Sequence, residues 1–526
     1  MRTPGSRPGV GVAMSQMAAA ARSDSAAPMK PGYEDPATFL QYPSAPAPQP
    51  GSMTIDPFTP ALDLAAAIRR REVSPVEVAD CYLDRIDALD PTLDAFCHRA
   101  DEDVRKAASA AADAVVRADS VDDLPPFHGV PLPVKDLVHV AGWPTSYGSA
   151  GASRTPADAS SPVVQRFLEA GFVLLGKTTT SEFGAVPFTE NETLGITRNP
   201  WDPDRTPGGS SSGAGVAVAA GMAPIAHAED GGGSIRVPAS CTGLVGLKPT
   251  RGRITNGTVL VEGFATSGVV TRTVADTAAA LDVLARHDPG AWWSPPTPWG
   301  SFRLSMRTPA PRGLRVGALT GSPIEGIDVD PACVAAVSAI LRALESAGHC
   351  PVDQTLPLPP AEELLGAFTT IWNIGAAGIP LADPDRVEPH NRVLREEARA
   401  TDSWTYAEAV QHTQVFSRRI VEGFVAGFDL LVTPTMACLP PPVGFWRGGG
   451  ALSPLLNSYP MAVFTSLFNV TGMPAISVPV GFDEATGLPV GVQLVAAPWR
   501  EDLLLQVAGL LEVELPWAGR RPPVGV

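Results

Sequence analysis

Three glycine-rich stretches hold residue types that could do chemistry. Gly171-Phe-Val-Leu-Leu-Gly176-Lys177-Thr178 satisfies the pattern G-x-x-x-x-G-K-[ST], in which backbone N–H groups wrap a nucleotide's phosphates. That loop must follow a strand and open a helix. Here the four middle residues are bulky and apolar, follow a predicted helix (Val163 to Ala170) and read as a strand themselves. The context argues for a helix-turn-strand unit ending in an ordinary lysine. Gly209-Ser-Ser-Ser-Gly213 fits G-x-S-x-G, the elbow that lifts a nucleophilic serine above a sheet. An elbow needs a strand directly before it, and Asp202-Pro-Asp-Arg-Thr-Pro207, with two prolines and turn-forming aspartates, argues against one. The third possibility joins separated segments: Val134-Lys135-Asp136, Pro207-Gly-Gly-Ser210-Ser211-Ser212-Gly213 and Asp230-Gly-Gly-Gly-Ser234-Ile-Arg236. Glycines 231, 232 and 233 leave no side chain over this last loop. Gly231, Gly232, Gly233 and Ser234 can therefore aim backbone N–H groups at one oxygen as it becomes negative, forming an oxyanion hole.

In that order, these segments resemble the amidase signature family. Flanking text agrees: His128-Gly-Val-Pro-Leu-Pro-Val-Lys135-Asp136, Arg198-Asn-Pro-Trp-Asp202, Gly246-Leu-Lys-Pro-Thr250 and Gly487-Leu-Pro-Val-Gly-Val-Gln493. The likeness covers about residues 55 to 515. It implies a Ser-cisSer-Lys catalytic set: Ser234 attacks the carbonyl, Ser210, after a cis peptide bond, takes its proton, and Lys135 is the final base. Lys135 must then be neutral when substrate arrives, which requires desolvation or a neighbouring positive charge to bring it far below the roughly 10.4 of a free lysine. Asp230 and Arg236 look like supports of the nucleophile loop, against the alternative of a solvated surface pair. Ser211 is placed to hydrogen-bond Lys135 or Ser210, or else is a turn residue. Cys241 reads as a packing residue and not a second nucleophile. None of the eight histidines has a catalytic or metal-ligand spacing, and His139 and His227 fit ordinary burial. Three positions depart from the family's pattern: Ser212 where glycine is common, Gly231 where threonine often stands, and Val269 where proline is usual.

Within the family, Ser181-Glu182-Phe183-Gly184 with Val186-Pro187, the triple glycine before Ser234, and Phe468-Asn-Val-Thr-Gly472 resemble stand-alone hydrolases of linear or cyclic amides, the nylon-oligomer and aryl-acylamide types among them. The alternative branch is the glutaminase subunit of a tRNA-dependent amidotransferase. The expected activity is hydrolysis of a carboxamide C–N bond in an apolar or aryl substrate, with esters or carbamates as side substrates and no metal or other cofactor. Segments 365–395 and 440–468, with Trp372, Trp446, Tyr459, Phe464 and Phe468, are expected to line the pocket, with plain core the alternative for such large side chains.

The elements that must position these groups are legible in the periodicity. Residues 61–70 and 75–89 carry apolar side chains at helical spacing, the second after Ser74 as N-cap and Pro75 at the first helical position. Short apolar runs at 172–175, 314–319, 430–433 and 475–480 alternate with helical stretches such as 161–170 and 332–347. The alternation predicts an α/β fold: one large domain over 53–526, a mixed central β-sheet surrounded by α-helices, with the catalytic core at about 125–275. Residues 1–52 hold nine prolines among Ala, Ser and Gly and read as a disordered extension. With 526 residues, 44% hydrophobic, the chain can bury a large core. A net charge of −16 without a long basic run argues against nucleic acid. No stretch approaches the roughly 18 apolar residues of a membrane span, and none has the length of a secretory signal. Six scattered cysteines read as reduced. The expectation is a cytoplasmic enzyme acting on a small-molecule amide, away from membranes, with a homodimer left open.

Overall fold

The computed structural model describes residues 55–524 except 192, 256, 258–260, 294 and 299. The extension assigned to residues 1–52 lies outside them. Ala61–Arg69 and Pro75–Leu93 are helices, the second extending four residues past the predicted end. It opens with a reciprocal cap in which Val76 N–H donates to Ser74 Oγ (3.2 Å) and Ser74 N–H donates to Glu77 Oε2 (2.8 Å). Asp94 ends it in the left-handed region, at φ 52°.

Among the described residues the strands form two sheets and a short ribbon. Strands β1 (Phe96–Arg99), β2 (Pro131–Lys135) and β3 (Val173–Thr178) make a sheet of order β1-β3-β2, with β1 antiparallel and β2 parallel to β3. β4 (Glu190–Asn191) and β5 (Gly195–Ile196) form the ribbon. The eight-stranded sheet contains β6 (Ile225–Asp230), β7 (Val245–Lys248), β8 (Thr266–Thr271), β9 (Arg315–Ala318), β10 (Cys350–Pro351), β11 (Leu430–Pro434), β12 (Ala475–Phe482) and β13 (Pro489–Val495). Their order is β10-β9-β11-β13-β12-β7-β8-β6, parallel across β10-β9-β11 and antiparallel elsewhere. This is the mixed central sheet that the alternating pattern predicts. β2 lies beside β6, where Lys135 N–H donates to His227 Nδ1 (3.3 Å).

Over the middle strands both faces of the large sheet are buried, and the period of two decides which residue serves which face. Val269 belongs to the core cluster that includes helices Val274–Leu284 and Glu501–Glu514, whereas Val270, one residue on, belongs to the cluster with Ala214, Val218, Ile235 and Ala239. Among the described residues no helix is long and apolar enough to cross a membrane.

The phosphate-loop pattern resolves as its context predicts: helix Pro162–Glu169, a turn, then β3, with Gly176 and Lys177 inside the strand. Lys177 is not an ordinary lysine, however. Its ammonium is buried 2.6 Å from Asp136 Oδ1 and donates to Thr145 Oγ1 (2.7 Å), while Ser146 donates to Asp136 through both its N–H and its hydroxyl. Lys177→Met leaves the Asp136 carboxylate buried without its counter-charge and is expected to lower stability by about 3–5 kcal/mol in urea unfolding. A loss under about 1 kcal/mol would count against this account.

Candidate active site

Two strands and two helices deliver the candidate residues. Lys135 is the last residue of β2, Asp230 the last of β6, and Ser234 stands just before helix Arg236–Thr242. Ser210 and Ser211 precede helix Ser212–Ala219, and the Gly209–Ser210 peptide bond is cis. No strand leads into this serine run; Asp202–Pro207 is a turn closed by Arg205 N–H donating to Asp202 O (2.9 Å). Ser211 binds neither Lys135 nor Ser210. It ties its loop to β6, with Ser211 Oγ donating to Glu229 O (3.2 Å) and Glu229 N–H donating to Ser211 Oγ (3.3 Å). Ser212, at a position where the family favours glycine, donates to Gly208 O (2.6 Å) and braces the same turn.

Lys135 is 1% exposed and donates to Ser210 Oγ (2.8 Å) and Glu229 O (3.2 Å). Burial lowers its pKa to about 8 against the opposing pull of Glu229 and Asp230. Burial pushes the Glu229 carboxyl up, and Ser267 Oγ donates to it (3.3 Å). His227, fully buried, is pushed down to about 3 by desolvation and by Lys135 and Lys177, so it is a neutral spacer between the sheets.

The loop 230–236 is folded around a carboxylate. Asp230 Oδ1 accepts from Gly233 N–H (2.7 Å), and Oδ2 accepts from the N–H groups of Ile235 (3.1 Å) and Arg236 (3.4 Å). The Arg236 guanidinium pairs with Asp230 (2.8 Å, both side chains 0% exposed) and donates to Thr465 O, Gln493 Oε1 and Asn469 Oδ1. Burial alone would raise the Asp230 carboxyl; Arg236, with Asn469 donating to it, holds it well below the usual carboxylate range. The pair is a buried support, not the solvated alternative. With Gly233 N–H committed to Asp230, the N–H groups of Gly231, Gly232 and Ser234 are left without a partner among the described residues. Gly233 adopts φ +136°, and a Cβ there would stand 2.3 Å from Thr465 Oγ1.

A cavity of about 200 Å³ opens over this loop, lined by Gly209, Gly232, Gly233 and Ser234 at one end. Ser234 Oγ hydrogen-bonds no described residue and faces this space. The walls are apolar, chiefly Leu364, Phe368, Trp372, Leu452, Leu455 and Val463. Phe368 and Trp372 stack at 5.3 Å, and a Cβ on Gly231 would meet the Trp372 ring at 2.9 Å, which is why glycine stands at that departure from the family pattern.

The sequence profile of the amidase family matches residues 77–505. The chain belongs to the amidase signature family. It is 36% identical over 493 residues to the 6-aminohexanoate-cyclic-dimer hydrolase of Paenarthrobacter ureafaciens, covering 89% of this chain and 97% of that one. A solved 6-aminohexanoate cyclic dimer hydrolase complexed with substrate superposes with TM-score 0.83 at 37% identity, covering 90% of this chain and all of the other. A bacterial aryl acylamidase superposes with TM-score 0.78 at 25% identity, over 88% and 99%. The amidase is thus an amide hydrolase acting on C–N bonds other than peptide bonds. These relatives lend no support to the glutaminase-subunit alternative.

Of the five aromatics expected in the amidase's pocket, Trp372 and Tyr459 line the cavity. Trp446 instead stacks on Phe188 in a neighbouring pocket, and Phe464 and Phe468 are core. His227 is buried as expected, but His139 is exposed, near Thr145 and Tyr147. Cys241 packs among Val237, Met436 and Met461. Sequence reasoning assigned no role to Asn469 or Gln493. A signal existed for the second: a glutamine inside the fully buried strand β13 must have polar partners.

Arg236→Met strands the Asp230 carboxylate and is expected to cost about 3–5 kcal/mol in urea unfolding, with loss of activity. Because folding depresses the Asp230 pKa, its stabilisation is complete above the unfolded value of about 3.9 and fades as pH falls below it. Asp230→Asn should flatten that acid limb of the stability profile. An unchanged limb would show that other carboxylates set it.

Proposed function

We propose that the chain hydrolyses apolar or aryl carboxamides through an acyl-enzyme on Ser234, with Ser210 and Lys135 carrying the proton. The observation that carries this reading is the 2.8 Å hydrogen bond from a fully buried Lys135 to Ser210 Oγ, with the lysine's pKa brought down to about 8. A neutral Lys135 accepts the proton of Ser210 as Ser210 accepts that of Ser234, whose oxygen then bonds to the carbonyl carbon. The carbonyl's electron pair moves to oxygen, where the N–H groups of Gly231, Gly232 and Ser234 stabilise it. As the C–N bond breaks, the proton returns through Ser210 to the nitrogen, which leaves as the amine. Water repeats the sequence on the ester and releases the acid. The unpartnered Ser234 hydroxyl at the cavity supports its part as nucleophile; its bond to Ser210 is made with substrate in place. The stacked Phe368 and Trp372 beside Gly232 support an apolar or aryl substrate, in keeping with relatives named for a cyclic amide and for aryl acylamides.

The test is release of 4-nitroaniline from an acyl anilide. Wild-type kcat/KM should rise with pH and level off above about 8, as Lys135 loses its proton. Lys135→Ala should lose on the order of 10²–10⁴-fold, and Ser234→Ala essentially all turnover. Mass spectrometry of quenched wild type should place the acyl group on the peptide containing Ser234. Full activity in Ser234→Ala, or a pH profile untouched by Lys135→Ala, would sink the assignment.

A further inference from the structure

The walls of the cavity over Ser234 are mostly apolar, and among the described residues that line it one carries a charge. Glu397, on helix Pro389–Ala400, lines it and is exposed, which puts its carboxylate where the cavity meets solvent. One turn earlier on that helix, about 4.5 Å along the axis, Leu394 lines the same cavity and packs against Ala185. The preceding residue, Gly184, is so close to the catalytic set that a Cβ on it would stand 3.4 Å from Ser210 Oγ. Glu397 therefore stands about a turn further out than the side chains beside the serines.

Its surroundings are incomplete. Among the described residues the Glu397 side chain has one hydrogen bond, from Asn373 Nδ2 (2.9 Å), and no ion pair. That bond turns the carboxylate toward the cavity wall formed by helix Ala361–Ala377, to which Asn373 and Trp372 both belong. Asn373 Oδ1 is itself buried without a hydrogen-bond partner. Nearby Arg395 does not answer this charge: its guanidinium donates to Ala376 O and Ile379 O and lies over the Phe183 ring. Two acceptors thus stand together at the outer part of an apolar cavity, and no donor with a charge serves them.

We infer that Glu397, oriented by Asn373, selects amides whose apolar chain ends in a protonated amine. An uncharged tail that fills the cavity strips water from the carboxylate and returns nothing, while an anionic tail meets like charge. An ammonium group carries three N–H donors and can serve Glu397 and Asn373 Oδ1 at once, leaving the methylenes between it and the scissile bond against Leu364, Phe368 and Trp372. The inference rests on the reading of this cavity as the substrate pocket, and it narrows that reading from apolar amides to ω-aminoacyl amides.

The experiment compares 4-nitroanilides of ω-aminoacyl groups of increasing chain length with their uncharged alkanoyl counterparts and with ω-carboxyacyl ones, for wild type, Glu397→Gln and Glu397→Lys. Wild type should favour the aminoacyl anilide of best-fitting length over its uncharged counterpart by about three- to tenfold in kcat/KM, mainly through KM. The ratio should fall to about one in Glu397→Gln and turn toward the carboxyacyl substrate in Glu397→Lys. A wild-type ratio near one at every length, or a preference that survives in both variants, overturns the inference while turnover of the uncharged anilide upholds the amidase reading. Failure of wild type to cleave any anilide overturns both.

Discussion

Everything at the site is referred to one buried carboxylate. Asp230 ends the outermost strand of a sheet and must satisfy its oxygens without water, so the chain after it bends back until the N–H groups of Gly233, Ile235 and Arg236 reach them. The same bend brings the Arg236 guanidinium onto the carboxylate and lets it reach Gln493 on β13, Asn469 and the Thr465 carbonyl. Segments more than two hundred residues apart are thereby locked to a single point. A buried charge pair of this kind contributes little net stability compared with apolar residues of equal volume, since both ions lose their hydration. What it supplies is geometry: the position of Ser234 follows from a hydrogen-bond set in which every donor has one acceptable place.

Lys135 shows the opposite use of burial. Its ammonium has a hydroxyl and a backbone carbonyl as partners, and neither cancels its charge as Arg236 cancels that of Asp230. Desolvation then works on the protonation state and makes the neutral amine accessible near physiological pH. A short distance away, Lys177 is just as buried but sits on Asp136 at 2.6 Å. Two lysines on neighbouring strands thus differ in electrostatic setting because one has a carboxylate in contact and the other does not. The chemical difference lies wholly in the partner.

The cavity over Ser234 is assembled from elements remote in the chain: helix Ala361–Ala377 supplies Leu364, Phe368 and Trp372, and the 452–463 region supplies further lining. Trp372 presses so closely on the glycine loop that Gly231 and Gly232 serve both sides at once, exposing N–H groups and making room for the ring. The shape of the cavity and the course of the glycine loop are therefore coupled through one aromatic contact.

Local chemistry was readable residue by residue. Ser74 and Pro75 announce a helix start because cap bonds span only a few positions. The bulky interior of 172–175 and the prolines before Ser210 exclude two attractive loop motifs for equally local reasons. The separated lysine and serines proposed for the chemistry were picked out through their resemblance to a family, and Asp230 and Arg236 as supports because they flank the same short loop. Other features could not be read in this way. Whether Lys177 is solvated or ion-paired depends on Asp136 arriving from the parallel neighbour β2. Whether Phe464 packs in the core while Tyr459 and Glu397 meet the cavity depends on how each segment is turned by its packing, and an aromatic spacing looks the same either way. Sequence determines bonds closed within a few residues and the order of the reactive groups. The tertiary structure alone decides burial, and with it the charge on Lys135, because desolvation is summed over every neighbour that excludes water and those neighbours come from the whole chain.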